Sequence, residues 1–157
     1  MLELTIMMNH GKYLVTDSKK RTLYSIKKKL RGEYVIRDAS KYELYELSEG
    51  QTMDRHMFYY ILLNGKRKAT LRCVSKFLEP RMELEEEDGS ILTIRAETPD
   101  KLSYTFVKDK KEYGTLKIHM LSRTEYKFVI NIDVEIFDDY LPLIPFAVIE
   151  SIPPTVG

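Results

Sequence analysis

The sequence predicts a mainly β protein, a closed antiparallel barrel of about twelve strands around a central hydrophobic C-terminal helix at about 142–152. Three observations lead to this fold class. Apolar and polar residues alternate with a period of two along most of the chain, turn signals recur about every 8–12 residues, and an apolar segment, YLPLIPFAVIESIPP, follows near the C-terminus. A length of 157 residues fits one domain, so we treat 1–157 as a single unit.

The N-terminal strands contain an internal repeat. The segment YLVTDSKKRTLYSI from Tyr13 aligns without gaps with YVIRDASKYELYEL from Tyr34, 21 residues later. Each copy consists of a strand, a turn that begins at an aspartate, and a second strand. Aspartate opens such turns because its carboxylate accepts a hydrogen bond from the backbone N–H two residues on. The repeat predicts two β-hairpins of the same construction, with a weaker third copy that turns at Asn64-Gly65.

Alternation is strictest in the segment YKFVINIDVEI, Tyr126 to Ile136, where every second residue is aromatic or aliphatic. Most of the residues between them are polar. One dry and one wet face are typical of an antiparallel sheet that packs against a core on one side only. The pattern predicts a strand over this whole segment.

The apolar segment decides between a barrel and an open sandwich. Pro153-Pro154 ends a helix at Ile152, and Pro142 is acceptable as its first residue. Large apolar side chains lie on every side of the predicted helix, and a helix that is apolar on all sides is buried on all sides. A twelve-stranded barrel is too wide for its own side chains to fill, so the helix fits along its axis. The alternative, a helix that caps an open sandwich, requires one polar helix face.

Composition excludes several classes of protein. The net charge of +1 gives no field that would attract nucleic acid. A single cysteine, Cys73, allows no intramolecular disulfide and fits a cytoplasmic location. The longest apolar run, 141–149, is far shorter than the roughly 20 residues of a membrane-spanning helix, and the N-terminus lacks the pattern of a signal peptide. We therefore expect no transmembrane segment.

Together these features resemble the LURP-one-related proteins of the tubby C-terminal-domain-like superfamily, with the phospholipid scramblases as further relatives. The resemblance rests on the repeated hairpins with their LY-x-[IL] ends, on the strand count and on the segment IDVEIFDDYLPLIPFAVIESI, and it covers nearly the whole chain. It implies a closed barrel around a hydrophobic C-terminal helix. Tubby domains bind phosphoinositides, but this chain has no matching ligand motif, so the resemblance assigns no binding residue.

Basic turns form the candidate binding site. In a simple meander, the turns near residues 19, 66 and 109 share one end of the barrel, together with the acidic turn at Asp88, which weakens their charge. The basic residues of that end are Lys19, Lys20, Arg21, Lys66, Arg67, Lys68, Lys108, Lys110 and Lys111. Such a cluster can meet anionic lipid headgroups, although lysines in turns also serve solubility alone. The run Lys27–Arg31 lies at the other end.

No residue pattern indicates catalysis. The three histidines are scattered, the triplet Asp54–His56 reads as a surface loop, and Cys73 shares a strand face with Leu71 and reads as a buried structural thiol. The acidic run 83–89 lacks the ligand spacing of a calcium loop and reads as a solvated hairpin. We expect no metal and no cofactor.

The predicted function is a non-enzymatic binding module, peripheral at the inner membrane surface, that recognises anionic phospholipid headgroups or a protein partner through barrel-end loops. We expect no nucleic acid among its partners. The alternatives are an intracellular carrier that holds an apolar ligand in the barrel and a hydrolase with an unrecognised site.

Overall fold

The computed structural model describes residues 1–51 and 57–155. Twelve strands form a closed antiparallel barrel in which each strand pairs with its neighbours in sequence and the first pairs with the last, which confirms the predicted fold class. The strands are β1 (Leu2–Asn9), β2 (Lys12–Thr16), β3 (Thr22–Lys28), β4 (Tyr34–Asp38), β5 (Glu43–Gln51), β6 (Met57–Leu63), β7 (Lys66–Ser75), β8 (Arg81–Glu86), β9 (Ile91–Ala96), β10 (Ser103–Lys108), β11 (Lys111–Met120) and β12 (Tyr126–Ile132).

The period-two pattern fixes the register of the strands. Where β1 closes the barrel against β12, Leu4 lies opposite Ile130 and Ile6 lies opposite Phe128, and none of the four side chains is exposed to solvent. A slip of one residue would turn this apolar face outward. The closed meander therefore has one interior face, to which every strand contributes its alternate residues.

The two hairpins of the repeat, β2–β3 and β4–β5, share the same turn. The carboxylate of Asp17 accepts hydrogen bonds from the backbone N–H groups of Lys19 and Arg21, both at 2.9 Å. Asp38 accepts the equivalent bonds from Ser40 and Tyr42, at 2.9 and 3.0 Å. The sequence repeat thus corresponds to a repeated turn in which the aspartate has the predicted role.

Strand β12 is shorter than the alternation predicts. It ends at Ile132, and Val134–Ile136 forms a 3₁₀ turn in which Val134 is exposed. The carboxylate of Asp133 accepts a hydrogen bond from the backbone N–H of Glu135 at 2.9 Å and so caps this turn. The prediction of a strand to Ile136 was wrong because the chain must bend here to enter the barrel.

The C-terminal helix confirms the prediction of a buried helix near 142–152. A 3₁₀ turn, Leu141–Leu143, leads into the α-helix α1, Ile144–Ser151, and Pro153 follows its cap residue Ile152. Pro142 and Pro145 lie in first turns, where backbone N–H groups lack helical partners in any case. Every residue from 140 to 148 is buried, as are residues 151 and 152.

The helix runs along the inside of the barrel. The ring of Phe146 packs against Tyr13 of β2, Tyr34 of β4 and Phe128 of β12, with ring centroids 4.8, 4.5 and 5.3 Å apart. Beyond the helix, the backbone N–H of Thr155 donates to the carbonyl of Asp100 in the β9–β10 loop at 3.0 Å. The chain therefore enters the barrel at one end and reaches the other.

We call these two ends the upper and lower rims. The upper rim consists of the β2–β3, β4–β5, β6–β7, β8–β9 and β10–β11 loops and of the segment 133–140 that leads into the helix. In the described chain, the lower rim consists of the loops β1–β2, β3–β4, β7–β8, β9–β10 and β11–β12. Residues 52–56, between β5 and β6, lie outside the described residues.

Candidate functional site: the two rims of the barrel

The nine predicted basic residues all lie at the upper rim, as a meander requires. Several of them face acidic side chains there. The guanidinium of Arg21 lies 2.7 Å from a carboxylate oxygen of Asp17, and Nζ of Lys68 lies 4.0 Å from Glu87. The backbone N–H and side chain of Arg21 hold the pKa of the Asp17 carboxyl below its usual value. The meander thus brings the predicted basic residues to one end of the barrel, where acidic side chains lie among them.

The segment that enters the barrel adds further acids to the upper rim. Between residues 133 and 139 lie Asp133, Glu135, Asp138 and Asp139, and the β8–β9 hairpin adds a second group, Glu85, Glu86, Glu87 and Asp88. The sequence predicts carboxylates beside the basic turns only at the hairpin, because the period-two pattern places residues 133–136 in a strand. Carboxylates near lysines cancel part of their field at a distance, so the upper rim is a poor site for an extended anionic surface.

Three tyrosines interact with these carboxylates at the point where the chain enters the barrel. The hydroxyl of Tyr140 donates to Glu86 Oε1 at 2.9 Å, and that of Tyr24 donates to Asp139. Burial raises the pKa of the Asp138 carboxyl, and burial together with Asp138 raises the pKa of the nearby Tyr45 hydroxyl. The acidic residues of the upper rim therefore anchor the start of the helix to strands β3 and β8.

A matching anchor lies at the lower rim, in the last turn of the helix. The two carboxylate oxygens of Glu150 accept hydrogen bonds from the hydroxyls of Tyr34, at 3.1 Å, and Tyr59, at 3.2 Å. The hydroxyl of Ser151, which is completely buried, donates to the Tyr59 oxygen at 3.4 Å. The polar residues of the helix are thus satisfied by tyrosines that reach in from β4 and β6.

These contacts predict that the protein loses stability at alkaline pH. Burial, with neighbouring carboxylates, raises the pKa of Tyr24, Tyr34, Tyr59 and Tyr140 above the usual value of about 10. A phenol whose folded-state pKa is raised contributes stability below its unfolded pKa, and this contribution falls as pH rises above about 10. We expect the urea midpoint to drop between pH 8 and about 11.

The check combines urea unfolding with phenolate absorbance along the same titration. Buried tyrosines should ionise together with unfolding rather than before it. Phenolate absorbance that rises fully while the near-ultraviolet dichroism of the folded protein persists would contradict the proposed burial of these hydroxyls.

The lower rim also carries basic residues, although the turn pattern of the sequence predicts no binding site there. The end of β3 and the β3–β4 loop together carry four basic residues, Lys27, Lys28, Lys29 and Arg31, and one acidic residue, Glu33. These residues line an open groove on the outside of the barrel. Lys28 Nζ lies 5.3 Å from the centre of the Tyr34 ring, and Lys29 Nζ lies 3.6 Å from Glu46. All four basic side chains are exposed.

The candidate catalytic residues in the described chain, Cys73, His10 and His119, lie on three separate elements. Cys73 is half-buried, its Sγ lies 3.7 Å from the Ser75 carbonyl, and burial raises the pKa of the thiol. His10 and His119 are exposed, on a turn and a strand respectively. The triplet Asp54–His56 lies outside the described residues. Cys73 is thus less buried than predicted, although its burial still disfavours the reactive thiolate.

In the acidic hairpin, the aspartate at the turn forms hydrogen bonds that stabilise the turn. The carboxylate of Asp88 accepts hydrogen bonds from the backbone N–H and the hydroxyl of Ser90, at 2.9 and 2.7 Å. Within residues 1–51 and 57–155, no group of three histidine, cysteine, aspartate or glutamate side chains is placed to hold a metal ion. No helix in the same ranges is long and apolar enough to cross a membrane.

Comparison with known proteins gives one distant structural likeness. The chain is similar to a protein of Arabidopsis thaliana solved by X-ray crystallography, at 15% identity and a TM-score of 0.37, over 94% of this chain and 88% of the other. No family model matches the chain, and no curated protein matches it. The likeness is too distant to assign a family.

Proposed function

We propose that this protein is a non-enzymatic binding module that attaches to anionic phospholipid headgroups through the lower rim of its barrel. The observation that carries the proposal is the exposed basic segment Lys27–Arg31, which lines an open groove in which five basic side chains, Arg37 included, outnumber two carboxylates, Glu33 and Glu46. Each lysine or arginine near an anionic membrane contributes about 1 kcal/mol of attraction. Four such residues in one short segment are a sufficient electrostatic anchor for reversible attachment.

The interior of the barrel supports a binding role over a carrier role. Ile144, Phe146, Ala147 and Val148 of the helix are at most 1% exposed and occupy the space that an apolar ligand would need. A carrier would have to expel a helix that is tied to the wall by tyrosines at both rims. For the hydrolase alternative, the thiol of Cys73 is half-buried with a raised pKa, and His10 and His119 lie exposed on separate elements.

Kinship with the LURP-one-related and tubby-like proteins is part of the same proposal. It is supported by the repeated hairpins, β2–β3 and β4–β5, and by the hydrophobic helix that follows the last strand. A cytoplasmic location, peripheral at the inner membrane surface, fits the single cysteine and the anionic lipids of that leaflet. The basic residues of the upper rim remain a second candidate site, which the following experiment separates from the first.

Reversing the charge of the lower rim should abolish attachment to anionic vesicles. We expect the triple variant Lys27→Glu, Lys29→Glu and Arg31→Glu to lose about 3 kcal/mol of binding free energy or more, roughly a hundredfold in affinity, because three attractions become repulsions. Flotation with vesicles of phosphatidylcholine and phosphatidylserine measures this at low salt. Wild-type binding should weaken as salt is added, because salt screens exposed charges.

The upper rim supplies a matched control. The variant Lys66→Glu, Arg67→Glu and Lys68→Glu changes the net charge by the same amount and also removes one exposed ion pair, Lys68–Glu87, where the first variant removes Lys29–Glu46. It should bind nearly as well as wild type. Loss of binding in this control alone would move the site to the upper rim. No binding of the wild type to any anionic vesicle at low salt would remove the lipid proposal.

A further inference from the structure

Large apolar side chains project into solvent from the lower rim. In the β3–β4 loop Leu30 is fully exposed, and in the β7–β8 loop Phe77 and Leu78 are 82% and 85% exposed. In the β11–β12 loop Leu121 is 50% exposed. Single exposed apolar residues are ordinary on protein surfaces, but leucine and phenylalanine at loop tips, well away from any core, are not required by the fold.

Basic side chains accompany each of these tips. Leu30 lies between Lys29 and Arg31, Phe77 and Leu78 lie between Lys76 and Glu79, and Arg123 follows two residues after Leu121. Nζ of Lys101, from the neighbouring β9–β10 loop, lies 5.6 Å from the centre of the Phe77 ring. An apolar tip flanked by lysine or arginine suits the boundary of an anionic bilayer, where the cation meets headgroups and the apolar group lies just beneath them.

The three loops are evenly distributed around the barrel. In the closed order of twelve strands they follow β3, β7 and β11, so that they occupy every second one of the six positions on the lower rim. Three separated points define a plane across the end of a barrel. A flat surface can engage all three at once, whereas a protein pocket that receives one contiguous patch cannot.

The upper rim differs in the charge around its exposed apolar residues. Val134, 66% exposed, lies between Asp133 and Glu135, and Tyr42, 69% exposed, lies between Lys41 and Glu43. An anionic bilayer would repel these carboxylates. Among the described residues, both upper-rim positions therefore have an adjacent carboxylate, whereas Leu30 of the lower rim lies between two cations.

We infer that the barrel stands end-on at the membrane, with the apolar tips of the β3–β4, β7–β8 and β11–β12 loops inserted beneath the headgroups of an anionic bilayer. The inference rests on the proposed function and adds to it a mode of attachment and an orientation. The basic residues bring the lower rim to the surface, and burial of the tips in the apolar boundary layer then slows dissociation.

The absence of tryptophan from the sequence allows a direct test of insertion. The variant Phe77→Trp places one fluorophore on a lower-rim tip, and Tyr42→Trp places one on an exposed upper-rim loop as the matched control. Both are mixed with vesicles of phosphatidylcholine and phosphatidylserine that carry bromine on the acyl chains close to the headgroups. The Phe77→Trp emission should shift to shorter wavelength and be quenched on binding, and the Tyr42→Trp emission should not change.

A second variant tests the contribution of the tips to binding. Leu30→Ser combined with Phe77→Ser and Leu78→Ser should weaken flotation at least tenfold, while its urea unfolding stays as in wild type because these side chains lie outside the core. An unchanged affinity would overturn the inference.

The outcomes separate the inference from the function on which it rests. If Phe77→Trp floats with vesicles but is not quenched, attachment is purely electrostatic or the tips serve a protein partner, and insertion is overturned while the proposed function stands. Quenching of both tryptophans overturns the end-on orientation. If neither variant nor the wild type floats, the proposed function fails and the inference fails with it.

Discussion

Replacing Phe146 by alanine should destabilise the protein by about 3–5 kcal/mol, as for other large aromatic residues removed from a core. Phe146 is 1% exposed, and its ring touches aromatic residues of three strands, Tyr13, Tyr34 and Phe128. The cavity left behind lies between the helix and the wall, where the closed barrel cannot collapse to fill it. Because domains are stable by only about 5–15 kcal/mol, urea unfolding should show the loss plainly.

The lower rim provides a control with the same chemical change. Phe77→Ala removes an equal side chain from a position that is 82% exposed, so its unfolding free energy should stay within about 0.5 kcal/mol of wild type. Equal urea midpoints for Phe146→Ala and Phe77→Ala would mean that the helix is not a core element and that the barrel is held together without it.

The barrel could be predicted from the sequence because one physical rule applies along nearly the whole chain: polar and apolar residues alternate, and one face of each strand is buried. The residues at the closure of β1 on β12 show why this works. Leu4 and Ile130 are assigned to the interior by periodicity alone, and they lie opposite each other and buried. The helix was predictable for the complementary reason, since a segment with apolar residues on all sides needs a lumen to cover it.

The polar contacts of the helix were not predictable in the same way. Glu150 is the one charged residue of the apolar segment, and its partners Tyr34 and Tyr59 precede it by 116 and 91 residues. Tyr140 and Glu86 likewise meet only because the helix enters the barrel beside β8. Periodicity assigns a residue to a face of one strand, but it does not say which residue of another element lies next to it.

The candidate site illustrates a further limit of reading a sequence by its turns. Leu30, Phe77 and Leu78 are strongly apolar, and apolar residues are normally assigned to the core. Their exposure follows from their place in loops that cannot continue a strand, beside Gly32 in one case and Pro80 in the other. The useful signal in the sequence was the position of these residues within turns among charged neighbours, with Leu30 between Lys29 and Arg31 and the pair Phe77-Leu78 between Lys76 and Glu79, which is a poor place for a core residue.

Replacing Gly114 by alanine should destabilise the protein by about 3 kcal/mol or more, although it adds a single methyl group. Gly114 of β11 lies opposite Ile132, the last residue of β12, and a Cβ at this position would be 2.1 Å from the backbone oxygen of Asn131 and 2.8 Å from the Cα of Ile132. Ordinary contacts between carbon and oxygen are about 3.3–3.6 Å. The methyl group would therefore push β12 away at the point where the chain bends into the barrel, and it would displace the start of the helix as well.

A glycine in a turn distinguishes this clash from the general effect of replacing glycine. Gly65 has a positive φ of 78°, and a Cβ added to it would have no atom within 4 Å, so Gly65→Ala should cost only the roughly 1–2 kcal/mol of the left-handed conformation. Urea unfolding of the two variants under the same conditions provides the comparison. A loss for Gly114→Ala no larger than that for Gly65→Ala would show that β12 can move without disturbing the barrel, and the close approach of the two strands would then not be what fixes the path of the chain into the lumen.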